Sequence, residues 1–137
     1  MLDPVSLRVS FAIVAVTLLA LFYFVAYRST RSAYAGWWCA ALGLFLAGSA
    51  AYLLDGTSQQ WWANPVGNVC VVAGAAAVWS GARAVEDRAV SWWLVGATLV
   101  GLLVASAFDD PGTNEWSGAP VFLGLMTVFI ALASVEL

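Results

Sequence analysis

The sequence predicts an all-α membrane protein: an antiparallel bundle of five transmembrane helices with short loops, N-terminus outside and C-terminus cytoplasmic. Three observations carry this expectation. The 137 residues are 63% hydrophobic and only 9% charged, against about 25% charged in an ordinary soluble domain, which leaves too few polar side chains to solvate a globule of this size. The five arginines and eight carboxylates collect between long charge-free windows. The arginines, finally, favour alternate gaps between those windows.

The windows are residues 9–27, 32–54, 61–82, 89–108 and 116–135. As helices rising 1.5 Å per residue each reaches roughly 28–35 Å, enough for a hydrocarbon core about 30 Å thick. None alternates with the period of two that a membrane barrel strand requires, and helices satisfy their own backbone in lipid. The first window has no basic segment before it and no small-residue cleavage site after it, and it ends in "FYFVAYR". It therefore reads as a retained helix rather than a signal peptide. Helices are expected at about 6–27, 32–54, 62–82, 89–108 and 118–137, in a single domain over 1–137.

The connections are "RSTR" (28–31), "DGTSQQ" (55–60), "RAVEDR" (83–88) and "DDPGTNE" (109–115). Asp-Gly and Pro-Gly are turn chemistry, and loops this short make consecutive helices antiparallel neighbours. Arg28, Arg31, Arg83 and Arg88 lie in the first and third connections. The second and fourth hold no basic residue, only Asp55, Asp109, Asp110 and Glu115. The positive-inside rule then puts both arginine loops in the cytoplasm, with Arg8 the exception near the outer end. Arg83 and Asp87 are four apart and would pair if the helix ran through them. The eight tryptophans form the aromatic belts of a bilayer protein, with Trp37, Trp38, Trp79, Trp92 and Trp93 inside and Trp61, Trp62 and Trp116 outside.

Composition narrows the chemistry. With no histidine and no lysine, histidine-based metal or haem ligation and Schiff-base retinal are excluded. Five scattered arginines make no nucleic-acid footprint. No catalytic, cofactor-binding or metal-ligating residue is expected. Cys39 and Cys70 fall at different depths, so two free thiols are expected rather than a disulfide. No ionisable side chain falls near the middle of any helix, which argues against an ion-coupled transporter.

Two patterns remain. Gly67, Cys70, Gly74, Ala77 and Gly81 recur at spacings of three and four, a stripe of small residues that admits a neighbouring helix closely. Ala97, Gly101 and Ala105 make a shorter one. Each serves either packing within the bundle or the seam of a homodimer. Asn64 and Asn68, beside Pro65, make one face of the third helix polar at its outer start. That face serves capping and interhelical hydrogen bonding, or a shallow outward-facing ligand site rimmed by Gln59, Gln60, Trp61 and Trp62.

The stretch "GNVCVVAGAAAVWSGARAVEDRAVSWW" carries an Asn-bearing helix through small residues to Trp79, Gly81 and Arg83, then a charged turn closing on Arg88, then another apolar helix. Before it, "YRSTRSAYAGWWCAALGLFLAGSAAYLL" gives an arginine turn, a tryptophan pair and a Gly-rich helix. Over roughly residues 20–100 this resembles the N-terminal membrane regions of bacterial GGDEF-domain proteins, the diguanylate cyclases. The resemblance implies a sensory or anchoring region in the bacterial inner membrane, controlling a cytoplasmic cyclase domain that is absent from these residues and expected beyond Leu137. It also implies pairing of two subunits, because cyclic di-GMP synthesis brings two GTP-loaded domains face to face. No ligand is implied. The alternatives are a standalone accessory subunit of a larger membrane complex and, less favoured, a small transporter or channel.

Overall fold

A computed structural model describes residues 3–137. Five helices account for the regular structure among the described residues: α1 (Pro4–Thr30), α2 (Ala33–Leu54), α3 (Gln60–Val85), α4 (Trp92–Phe108) and α5 (Ala119–Glu136). Four are long and apolar enough to cross a membrane, and α4, with 17 residues, is apolar but shorter.

Each boundary has a local cause. Pro4 opens α1 at a position where a missing N–H costs nothing, and the Asp3 side chain accepts from the Val5 N–H at 3.4 Å, so the helix starts two residues before the expected start at residue 6. Its stretch Phe22–Tyr27 is π-helical, and the segment "RSTR", expected as a loop, continues the helix to Thr30 before Arg31 turns left-handed at φ 51°. The last turn of α2, Tyr52–Leu54, tightens to a 3-10 helix. At the end of α3, Asp87 takes the left-handed position at φ 55°, and the Arg88 N–H closes on the Arg83 carbonyl at 3.0 Å. This is a Schellman-type stop with aspartate where glycine is usual. The helix therefore ends at Val85, and Arg83 and Asp87 do not face each other along it. Residues 89–91 are not helical, so α4 begins three residues later than expected. Gly118, at φ 70°, and Pro120 start α5.

α3 lies at the centre and is the most buried helix. One of its faces carries Val72, Ala75, Ala76, Trp79 and Ala82 against Val95 and Leu102 of α4 and Phe129 and Ala133 of α5. The opposite face is the small-residue stripe, and α2 covers it. A Cβ on Gly67 would stand 2.7 Å from the Tyr52 ring, and one on Gly74 would stand 2.8 Å from the Phe45 ring. Gly81 lies against Trp37 and Trp38, and from the other side Gly48 of α2 comes up against Val71 and the Gly67 carbonyl. The stripe is thus used inside the chain. Among the described residues α1 packs chiefly on α2, at the edge of the bundle. Both cysteines are free.

Trp79 departs from its expected place in an aromatic belt. It is buried, with its ring centroid 5.9 Å from that of Phe129. Trp61, Trp92, Trp93 and Trp116 are exposed large hydrophobic side chains.

Candidate functional site

Polar chemistry is gathered at the two ends of the bundle. At one end, Gln60, Asn64 and Asn68 follow one another at spacings of four on α3, which places three amides on one side over two turns. All three are buried. Gln60 donates to the Pro111 carbonyl at 3.0 Å and accepts from the Gly56 N–H at 2.6 Å. Asn64 donates to the Glu115 carbonyl at 3.0 Å. Asn68 donates to the Ser117 carbonyl at 2.9 Å and the Ser106 hydroxyl at 3.1 Å, and accepts from the Tyr52 hydroxyl at 2.6 Å.

The amides therefore tie α3 to α2, to α4 and to the connection between α4 and α5. That connection is folded in turn by Asp109, whose carboxylate accepts from the Gly118 N–H at 2.9 Å, and by the Ser117 hydroxyl, which donates to the Ser106 carbonyl. Buried amides left unpaired cost about 1–3 kcal/mol each. Paired as here, they fix one arrangement of the helices. Of the two readings of Asn64 and Asn68, the geometry matches interhelical hydrogen bonding.

Of the expected rim, Gln60 joins them in the cluster, and Gln59, Trp61 and Trp62 do not. Trp61 and Trp62 turn to another side of α3, where they flank a cleft of about 510 Å³ with Pro65, Leu103 and Asp110. Gln59 accepts from the Trp62 indole N–H at 2.6 Å. Sequence reasoning missed Tyr52, Ser106 and Ser117. The amide spacing of four was the available signal for the α3 side of the cluster, but serines in apolar helices usually bond back to their own backbone, as Ser80 does to Ala76. Asp55 stands beside the cluster with one carboxylate oxygen buried and unpartnered. Burial pushes its carboxyl above the ordinary range, the Asn64 side chain pulls it back, the Glu115 charge adds to the rise and the Arg8 charge opposes it.

The other end holds the basic turn. Glu136, near the end of α5, receives Arg83 at 3.1 Å and Arg88 at 2.8 Å, and Arg88 also meets Glu86 at 3.0 Å. The Arg83 guanidinium lies 5.2 Å from the centroid of the Trp79 ring, within cation–π range. Trp37 stacks on Trp92 with ring centroids 5.2 Å apart, joining α2 to α4. The Arg83 partner is thus 53 residues away rather than four. Among the described residues, no group of three or more cysteine and carboxylate side chains is placed to hold a metal ion. No family model, curated protein or solved structure matches the chain.

Proposed function

We propose that the chain is the membrane-embedded sensory and anchoring region of a bacterial signalling protein, of the kind that precedes a diguanylate cyclase domain. In this reading the arginine turns face the cytoplasm, the amide cluster faces outward, and the bundle holds a cytoplasmic output domain at the inner membrane. The supporting observation is the clamp of Arg83 and Arg88 on Glu136. It fixes the end of α5 to the basic turn, so a change in the packing of α3 and α4 is carried to the point where α5 would join an output domain.

Between the two polar ends, the centre is filled by Val72, Ala75, Leu102 and Phe129. That packing suits a scaffold better than a conduit. Subunit pairing, on this proposal, uses the face of α4 with Ala97 and Gly101, which are exposed, because the α3 stripe is already covered by α2.

The test has two parts. Cysteine-labelling of intact cells, in a background with Cys39 and Cys70 replaced by serine, should label a cysteine at Ser58 from outside and one at Glu86 only after permeabilisation. Reading the gene in frame past the codon for Leu137 should then reveal a GG[DE]EF-type domain. Reversed labelling would overturn the orientation. A stop codon at that point, with co-purification in a larger complex, would favour the accessory-subunit reading.

A further inference from the structure

α1 meets α2 along Ala12, Ala15, Leu19, Phe22 and Ala26, the positions at spacings of three and four where its exposure drops. Every described residue before Ala12 is exposed. The first two turns of α1 therefore stand clear of α2 and leave a cleft of about 640 Å³, within the about 300–1,000 Å³ of ligand sites. Its walls are two facing apolar stripes, Leu7, Phe11 and Val14 on α1 and Leu46, Ala50 and Leu53 on α2.

Its lining also holds two opposite charges, Arg8 and Asp55. Asp55 follows directly on the last turn of α2, and Arg8 lies in the second turn of α1, close enough to its end for a long side chain to reach the interface. Among the described residues Arg8 closes no ion pair, although its charge acts on Asp55, and one Asp55 oxygen makes no hydrogen bond. A guanidinium and a carboxylate that line one apolar cleft without closing into an ion pair are complementary to an amphiphile whose headgroup carries both opposite charges.

We propose that this cleft holds one phospholipid of the outer leaflet, with an acyl chain between α1 and α2, its phosphate at Arg8 and a primary ammonium at Asp55. The headgroup is of the ethanolamine type. A choline headgroup has no N–H to give the Asp55 oxygen, and a glycerol headgroup has no positive charge. The assignment rests on the membrane reading above, with the arginine turns inside.

The experiment takes protein from membranes washed with alkaline carbonate. The protein is transferred to mild detergent with equal amounts of phosphatidylethanolamine, phosphatidylglycerol and phosphatidylcholine of one acyl composition, and retained lipid is read by native mass spectrometry. The expected result is one ethanolamine lipid per chain, preferred about tenfold over choline, the scale of one hydrogen bond to a charged group. Asp55→Ala should erase that preference, and Arg8→Gln should weaken retention of all three lipids. Equal retention of the three by the wild-type protein, a preference that survives Asp55→Ala, or a lipid-free dimer would each overturn the site. Loss of the protein in the carbonate wash would overturn the membrane reading together with it, whereas an integrated but unselective protein would overturn the lipid site alone.

Discussion

Substitution of Gly48 by alanine tests the closest approach in the bundle. A Cβ built there would lie 2.6 Å from Val71 Cγ2, 3.0 Å from the Gly67 carbonyl oxygen and 3.3 Å from the Val71 nitrogen. The valine side chain has essentially one comfortable rotamer in a helix, and two of the three contacts are backbone. The methyl group fits only if α2 moves away from α3, which also loosens the packing around Tyr52 and Phe45. Overpacking of this kind costs about 1–3 kcal/mol, while replacing glycine by alanine inside a helix gains at most about 1 kcal/mol. Gly43 lies on the same helix with no heavy atom within 4 Å of its built Cβ, so Gly43→Ala should show the gain alone. The two variants should therefore differ by about 1–3 kcal/mol, with Gly48→Ala the less stable. Unfolding by sodium dodecyl sulfate in mixed micelles, followed by helical circular dichroism, measures that difference. A Gly48→Ala protein as stable as Gly43→Ala would refute the packing assigned to the stripe.

Asn68→Leu should cost about 2–4 kcal/mol, because it strands the Ser117 carbonyl and the Tyr52 and Ser106 hydroxyls in a buried site, and the same micelle titration reads it. For Asp55 the folded protein holds the carboxyl proton more tightly than the unfolded chain does. Its contribution to stability is therefore intact below about pH 4 and is lost as pH rises through the folded pKa. In lipid-free detergent the wild-type midpoint should fall over that range, while Asp55→Asn should stay flat; parallel pH profiles would contradict the burial assigned to Asp55. Gly101 has open space around it, so Gly101→Leu should leave unfolding of the isolated chain nearly unchanged while reducing crosslinking between copies in membranes. Unaltered crosslinking would remove α4 from the pairing surface.

The five helices were legible as long apolar runs ended by charge or turn residues, four of them long enough to cross a bilayer. The small-residue stripe was legible as a face, since spacings of three and four put Gly67, Gly74 and Gly81 on one side of α3. Its neighbour was not, because α2 and a second copy of the chain would leave the same spacing. The end of α3 was misjudged for a local reason. Aspartate tolerates the left-handed turn better than most residues, but "RAVEDR" has no glycine to mark one, and a helical spacing of four made Asp87 the natural partner of Arg83. The pairs that organise the two ends, Asn68 with Ser117 and Arg83 with Glu136, join residues 49 and 53 positions apart, and no periodicity reports contacts across that distance. Trp79 looked interfacial from its distance to the helix end alone, because depth along a helix says nothing about which way a side chain turns.

The amide face of α3 also bears on the order in which the bundle can be completed. Gln60, Asn64 and Asn68 emerge from the ribosome about fifty residues before the carbonyls of Pro111, Glu115 and Ser117 that receive them. On the proposed membrane reading, α3, the least hydropathic of the four long helices, carries during that interval three amides that hydrocarbon cannot solvate. It can shelter its glycine side against α2 at once, but its amide side has to stay near water or a translocation channel until the final hairpin arrives. On that reading the last connection is what lets the third helix settle in the bilayer, and a chain interrupted before Ser117 is left with its central element only half committed.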